Sequence, residues 1–174
     1  MNAEAGMRFM LCGNRALQEG TVFLARISLG VFFAISGGNK LLFTSHYNLM
    51  YETVAGAGIP FPNFMAYFVS SVEFVSGCLL IVGMLSTLCC VALIFTMIVA
   101  IATVQLATIK AASFIDWLDD FLYLPEVMYI IMFLWLICSG PGRLSVDHWL
   151  AARFGLLDRV SEHERDTQAV GSRG

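Results

Sequence analysis

The sequence predicts an all-α fold, an integral membrane bundle of four transmembrane helices with both termini in the cytoplasm. Of its 174 residues, 58% are hydrophobic and 13% are charged, whereas soluble domains carry roughly 25% charged residues. The apolar residues fall into four long runs, each near the roughly 20 residues that a helix needs to cross a bilayer. Because lipid offers the backbone no hydrogen-bond partner, each run is expected to be helical.

The first span is predicted at residues 21–43, after a cytoplasmic N-terminal segment, 1–20. The apolar run at 7–12 is too short for a secretory signal, and no evident cleavage site follows it. The first span is therefore expected to remain as a membrane helix.

The second and third spans are predicted at 64–84 and 86–109, joined by a tight turn into an antiparallel hairpin. The connection before them, 44–63, cannot be one continuous helix. It contains Gly56, Gly58, Pro60 and Pro62.

The fourth span is predicted at 122–139, with Pro125 at a position suited to the first turn of a helix. Together the four spans form a membrane domain at 21–143. An interfacial amphipathic helix is expected at 144–160, with Trp149, Leu150, Phe154 and Leu157 toward the interface. The polar tail at 161–174 is expected to be disordered.

The distribution of Lys and Arg predicts the orientation. Seven arginines lie before the first span or after the fourth, while the two long connections contain only Lys110. Both termini are therefore expected in the cytoplasm. No basic run is present and the net charge is −3, so a nucleic acid partner is not expected.

A seam of the first span combines two cations with small residues. Arg26, Gly30, Phe33, Gly37 and Lys40 recur at spacings of four, three, four and three, which places them on one face of a helix. Glycines on such a face let a neighbouring backbone approach closely. This face is therefore expected to contact protein rather than lipid.

Two carboxylates lie within the other spans, and a charge in the hydrocarbon core is costly unless it is paired. Glu73 is near mid-span on a small-residue face of the second span, and Glu126 begins the fourth. At about 1.5 Å per residue, the depths predict an outer pair, Lys40–Glu126, and an inner pair, Arg26–Glu73.

Two neutral residues complete the candidate site. Asn39 lies beside Lys40, about a quarter-turn round the helix, and Gln105 lies on the third span. Together with Arg26, Lys40, Glu73 and Glu126 they are candidates for ligand binding or proton relay. The alternative is that the charged pairs only fix helix register and that Gln105 only bonds one helix to another.

The sequence contains little support for a haem, a zinc site or a nucleotide cofactor. No histidine lies within a span, which excludes a bis-histidine haem in the membrane, and no zinc spacing, catalytic triad or nucleotide loop is present. The five cysteines form no CxxC pair and are interpreted as small buried hydrophobes. No metal site is expected, and a redox cofactor would have to be a bound quinone or belong to a partner.

Three motifs resemble the DoxX family. They are Arg26-Ile-Ser-Leu-Gly30 with Gly37 and Lys40 downstream, the run from Glu73 to Gly83, and Gly140-Pro-Gly-Arg-Leu-Ser-Val-Asp147 after the fourth span. The resemblance covers about residues 20 to 150. It implies a small four-helix protein of the bacterial or archaeal inner membrane, from a family named for a subunit linked to quinol oxidation and thiosulfate:quinone oxidoreduction. Many relatives carry a histidine where Gln105 stands, and Gln cannot exchange protons near neutral pH.

The leading hypothesis is a DoxX-like membrane subunit that supports a quinone-linked redox process, with no intrinsic cofactor beyond a bound quinone. Arg26 and Lys40 would bind carbonyl oxygens, and Glu73 and Glu126 would balance charge or relay protons. The expected partners are the lipid membrane and a second protein or further copies of the chain. The alternatives are a small proton- or cation-coupled transporter and a non-catalytic assembly factor. The catalytic residues, if any, are unknown.

Overall fold

The structure, a computed structural model, describes residues 15–106, 109, 113–140, 142 and 145–154. Its described residues form helices and their connections, without strands. The helices are α1 (Arg15–Leu42), α2 (Thr44–Gly56), α3 (Pro62–Val82), α4 (Ser86–Ala100), α5 (Phe114–Leu122), α6 (Pro125–Ser139) and α7 (Val146–Arg153), and a π-helical segment, Ile101–Gln105, continues α4.

The predicted all-α membrane bundle is confirmed. Within the described residues, α1, α3 and α4 with its π-helical segment are each long and apolar enough to cross a membrane. A fourth crossing is counted if α5 and α6, which meet at 61°, form one bent span. The predicted N-terminal segment up to residue 14, the tail at 161–174 and residues 155–160 of the interfacial helix lie outside the described residues.

Both long connections contain a helix that the sequence analysis did not predict. α2 occupies the first part of 44–63, because all the Gly and Pro residues of this segment except Gly56 lie after the helix. The chain then turns through Gly58 and Phe61, which have positive φ values of 69° and 54°. α5 begins after Ser113, whose hydroxyl accepts a hydrogen bond from the Asp116 N–H at 3.2 Å, as an N-cap does.

Glycines bring α1 and α3 into backbone contact. A Cβ atom added at Gly37 would lie 2.5 Å from the Phe74 nitrogen, and one added at Gly77 would lie 2.4 Å from the Ala34 nitrogen. Side chains at these positions would hold the helices apart. The predicted seam on α1 therefore does face protein, and the small-residue face of α3 packs against it.

Buried apolar side chains from several helices form a core inside the bundle. Phe33 and Phe133 pack with ring centroids 5.4 Å apart, and Leu80 and Leu93 are completely buried beside them. These side chains come from α1, α3, α4 and α6, so the core ties all four long helices together.

The turn between α3 and α4 is held by Asp147 of α7. Its carboxylate accepts hydrogen bonds from the backbone N–H groups of Leu85 (2.7 Å) and Ser86 (2.8 Å), at the start of α4. The Asp147 N–H donates to the Gly83 carbonyl at 3.0 Å. We call this arrangement of residues 83–86 with Ser145 and Asp147 the clamp, and the end of the bundle that contains it the clamp end.

Candidate ligand-binding cavity

The end of the bundle opposite the clamp contains a cavity of about 530 Å³. This volume lies within the range of roughly 300–1,000 Å³ that is typical of small-molecule sites. Residues from α1, α2, α3, α4, the π-helical segment and α6 line it, and most are apolar. Four of the six predicted site residues are in the lining, namely Lys40, Glu73, Gln105 and Glu126.

A short ion pair forms one polar part of the cavity wall. Lys40 Nζ donates to Glu73 Oε2 at 2.6 Å, and the side chains are 24% and 5% exposed, respectively. The Ser36 hydroxyl donates to the same Glu73 oxygen at 3.4 Å. Glu73 thus sits inside the bundle with its charge compensated, while the ammonium group of Lys40 is the more accessible partner.

The second polar part of the wall joins the π-helical segment to α6. Gln105 Nε2 donates to Glu126 Oε1 at 2.8 Å, and the buried Glu126 Oε2 has no hydrogen-bond partner among the described residues. Glu126 follows Pro125 in the first turn of α6, where the helix dipole favours a negative charge. π-helical turns often occur at functional sites, and this one supplies Gln105 to the wall.

The predicted pairing of the charges is wrong. The structure pairs Lys40 with Glu73 instead of Glu126, and Glu126 receives its hydrogen bond from Gln105. The register between α1 and α3 explains the difference. Since Gly37 faces the backbone of residues 70–74, Glu73 is level with residues 36–37 of α1, one turn from Lys40 and about 15 Å in helix rise from Arg26.

Arg26 belongs to the clamp end and is remote from the cavity. It is 3% exposed, and its guanidinium lies against Gly83. A Cβ added at Gly83 would lie 2.8 Å from Arg26 Nη1 and 2.8 Å from Ser145 Cβ. The negative charge of Asp147 attracts the guanidinium. Arg26 therefore stabilises the clamp, and its predicted role in binding a ligand carbonyl is not supported by its position.

Asn39 is half-buried beside Lys40 and does not line the cavity. The sequence analysis also missed residues that do. Ser36 lies one helical turn before Lys40 and supports Glu73, a spacing that could have identified it. Tyr129 lies one turn after Glu126 on α6 and lines the cavity, and its ring meets Phe33 edge to face with centroids 5.4 Å apart.

α2 covers the cavity at the end remote from the clamp. Met50, Thr53 and Val54 of this helix line the wall, and Val54 is 5% exposed. The Tyr47 hydroxyl donates to Asn63 Oδ1 at 3.1 Å, which ties α2 to the start of α3. The cavity is therefore bounded by α2 at one end and by the Phe33–Phe133 core at the other.

The metal-ligand chemistry of the described part of the chain is sparse. Among these residues, no group of three or more His, Cys, Asp or Glu is arranged to hold a metal ion. Cys78, Cys89, Cys90 and Cys138 are free thiols. The polar chemistry of the cavity thus comes from an amine, an amide, two carboxyl groups and hydroxyl groups.

Comparisons with known proteins point to one family. The sequence profile of the DoxX family matches residues 21–106, from α1 to the end of the π-helical segment. The curated Mycobacterium tuberculosis protein named "Uncharacterized membrane protein Rv3486" is 27% identical over 138 residues, which cover 76% of this chain and 83% of the relative. No solved structure matches the chain.

Proposed function

The chain belongs to the DoxX family of membrane proteins, and from this premise we propose that it binds a quinone-type ligand in its cavity. In this role it serves as an integral subunit of a quinone-linked redox process in the inner membrane. The observation that carries the proposal is the cavity of about 530 Å³, which is largely apolar but has two separate polar groups on its wall.

The shape of the cavity suits an amphiphile that comes from the bilayer. Phe68 of α3 and Phe95 of α4 line it and are 52% and 66% exposed on the surface of the bundle. These two rings join the apolar wall of the cavity to the exposed apolar surface of the bundle, and in this proposal the apolar tail of the ligand lies along them. The head of such a ligand would lie against Lys40 and Glu126.

The charges of the wall favour a neutral head group. With its carboxyl groups ionised, the wall has one positive charge, on Lys40, and two negative charges, on Glu73 and Glu126. An anionic phosphate group would meet a net negative wall of low dielectric, where like charges repel strongly. A quinone ring has no charge and offers oxygen atoms for hydrogen bonds.

Each polar residue has a defined part in this proposal. The Lys40 ammonium donates to a ring oxygen of the ligand, and Glu73 holds the ammonium in place. Gln105 orients Glu126, whose second oxygen accepts a hydrogen bond from a ring hydroxyl when the ligand is in its reduced form. The electrons are exchanged with a redox centre on a partner protein.

The experiment is to purify the protein from its membrane and quantify co-purified quinone by mass spectrometry. Glu73→Gln keeps the shape of the side chain but removes the charge that holds Lys40. We expect it to lower the quinone content at least tenfold, since hydrogen bonds to charged groups contribute about 1.5–3 kcal/mol.

Glu52→Gln is the matched control, because Glu52 lies exposed on α2 and does not line the cavity. It makes the same change of charge and should retain the quinone. An absence of quinone from the wild-type protein, together with unchanged membrane quinol turnover in a Glu73→Gln strain, would refute the proposal.

A further inference from the structure

α5 separates apolar and acidic residues onto opposite faces. Asp116, Asp119 and Asp120 are spaced three and four residues apart and so share one face. Its apolar residues lie on the opposite face, so α5 is an amphipathic helix. They are Phe114, Ile115, Trp117, Leu118, Phe121 and Leu122.

The apolar face of α5 is not covered by the described part of the protein. Phe114 and Ile115 are 75% and 77% exposed, and Leu118 is exposed as well. The rings of Phe114, Trp117 and Phe121 stack in sequence, with centroid distances of 6.3 and 5.2 Å. An aromatic surface of this kind would be unstable in water and needs an apolar neighbour.

The charges exclude α5 from the hydrocarbon core. Three carboxylates within nine residues would each cost about 2.5–3.5 kcal/mol at the centre of a membrane. α5 also meets α6 at 61° and so does not continue its path across the bilayer. A helix of this composition is stable where one face meets lipid and the other meets water.

The length of α6 supports the same placement. Its 15 residues span about 22 Å, which is less than the roughly 30 Å of the hydrocarbon core. The apolar face of an interfacial helix sinks about 5–10 Å below the membrane surface. The length of α6 and this depth add up to about 27–32 Å, which matches the thickness of the hydrocarbon core. A start of α6 below the surface, beside a sunken α5, therefore accounts for its short length.

From these observations we propose that α5 is a lipid-binding surface helix, lying in the membrane interface at the end where α6 begins. Its occupant is the bilayer itself, which is continuous with the lipid around the spanning helices. The acidic face points to water, so the helix binds uncharged lipid surfaces without needing anionic head groups. This placement also puts Pro125 and Glu126, which follow directly, at the depth to which α5 sinks, about 5–10 Å below the membrane surface.

The test uses Trp117 as a depth probe in a variant that lacks the other tryptophans, Trp135→Phe with Trp149→Phe. The full chain is reconstituted in phosphatidylcholine vesicles with bromine atoms at defined positions of the acyl chains. We expect lipid with shallow bromines to quench Trp117 at least twofold more than lipid with deep bromines, and aqueous iodide to quench it weakly.

A matched variant retains Trp135 of α6 and replaces Trp117 and Trp149 with Phe. Trp135 is 39% exposed on α6, which this proposal places across the bilayer, so brominated lipid should quench it in every preparation that is folded. Adding Leu118→Asp to the Trp117 probe should raise its quenching by iodide, while Asp119→Asn should not.

Two results would overturn the proposal. Strong quenching of Trp117 by iodide without quenching by lipid would place α5 in water. Protection from both quenchers, with Trp135 still quenched by lipid, would show that a protein surface covers α5. Neither result would bear on quinone binding, which is measured separately.

Discussion

At the scale of single residues, the partner of each charge is decided by helix register. Lys40 reaches Glu73 because Gly37 lets α1 and α3 touch at the level of that carboxylate. The sequence shows which residues are charged, and their spacing on α1 places the two cations of this helix on one face. It could not identify the pairs, because a shift of one turn between two helices moves a side chain by about 5.4 Å.

The Lys40–Glu73 pair yields a test that separates a ligand site from a register device. Lys40→Met leaves a carboxylate with 5% exposure inside the bundle, and breaking a buried pair in this way costs about 3–5 kcal/mol. Lys40→Met combined with Glu73→Leu removes both charges and should recover most of that stability. Thermal unfolding in detergent, followed by circular dichroism, measures the difference.

The same double variant should fail to retain quinone, because its cavity wall has lost its only described lysine. A stable double variant that retains quinone at the wild-type level would contradict the proposed site. It would instead favour the assembly-factor alternative, in which the pair only holds the helices in place.

At the scale of elements, the membrane helices were predictable and the short helices were not. Long apolar runs identify α1, α3 and α4 because only a helix satisfies the backbone in lipid. α2 was missed because the Gly and Pro residues of 44–63 indicated a connection that is not one continuous helix. α5 was missed because its three Asp residues made the apolar residues between them less evident. The clamp also depended on tertiary contact, since Asp147 caps a helix that begins about sixty residues earlier in the chain.

Because α1 and α3 are in close contact, we expect alanine substitutions at two glycines of α1 to have opposite effects on stability. Gly37→Ala places a Cβ 2.5 Å from the Phe74 nitrogen and 2.7 Å from the Ser70 oxygen, and relieving this overlap by separating the helices costs about 1–3 kcal/mol. Gly20 has no atom within 4 Å of the corresponding position, and alanine favours a helix by up to about 1 kcal/mol.

We therefore expect Gly37→Ala to lower the unfolding temperature in detergent and Gly20→Ala to leave it unchanged or raise it. Because Gly37 also sets the distance between Lys40 and Glu73, Gly37→Ala should reduce quinone retention, while Gly20→Ala should not. Equal effects of the two substitutions would contradict the close helix contact.

At the scale of the whole molecule, the two ends of the bundle differ in what fills them. The end beneath α2 contains the cavity and its polar wall. Toward the clamp end, Phe33, Leu80, Leu93 and Phe133 fill the space between the helices, and none is more than 2% exposed. The family and the spans were accessible from sequence, but this asymmetry was not, because it depends on which apolar side chains meet across the bundle.

The filled end predicts that the protein does not conduct protons or small cations, which distinguishes the ligand site from the transporter alternative. Crossing the bundle would require an ion to pass the buried apolar core, where an isolated charge costs several kcal/mol or more. In liposomes with a pH gradient and an internal pH-sensitive dye, the reconstituted protein should dissipate the gradient no faster than protein-free liposomes. A protonophore added at the end of each trace confirms that the gradient was intact. Glu73→Gln should give the same trace as the wild type, whereas a wild-type flux that Glu73→Gln abolishes would show that the cavity is part of a transport path.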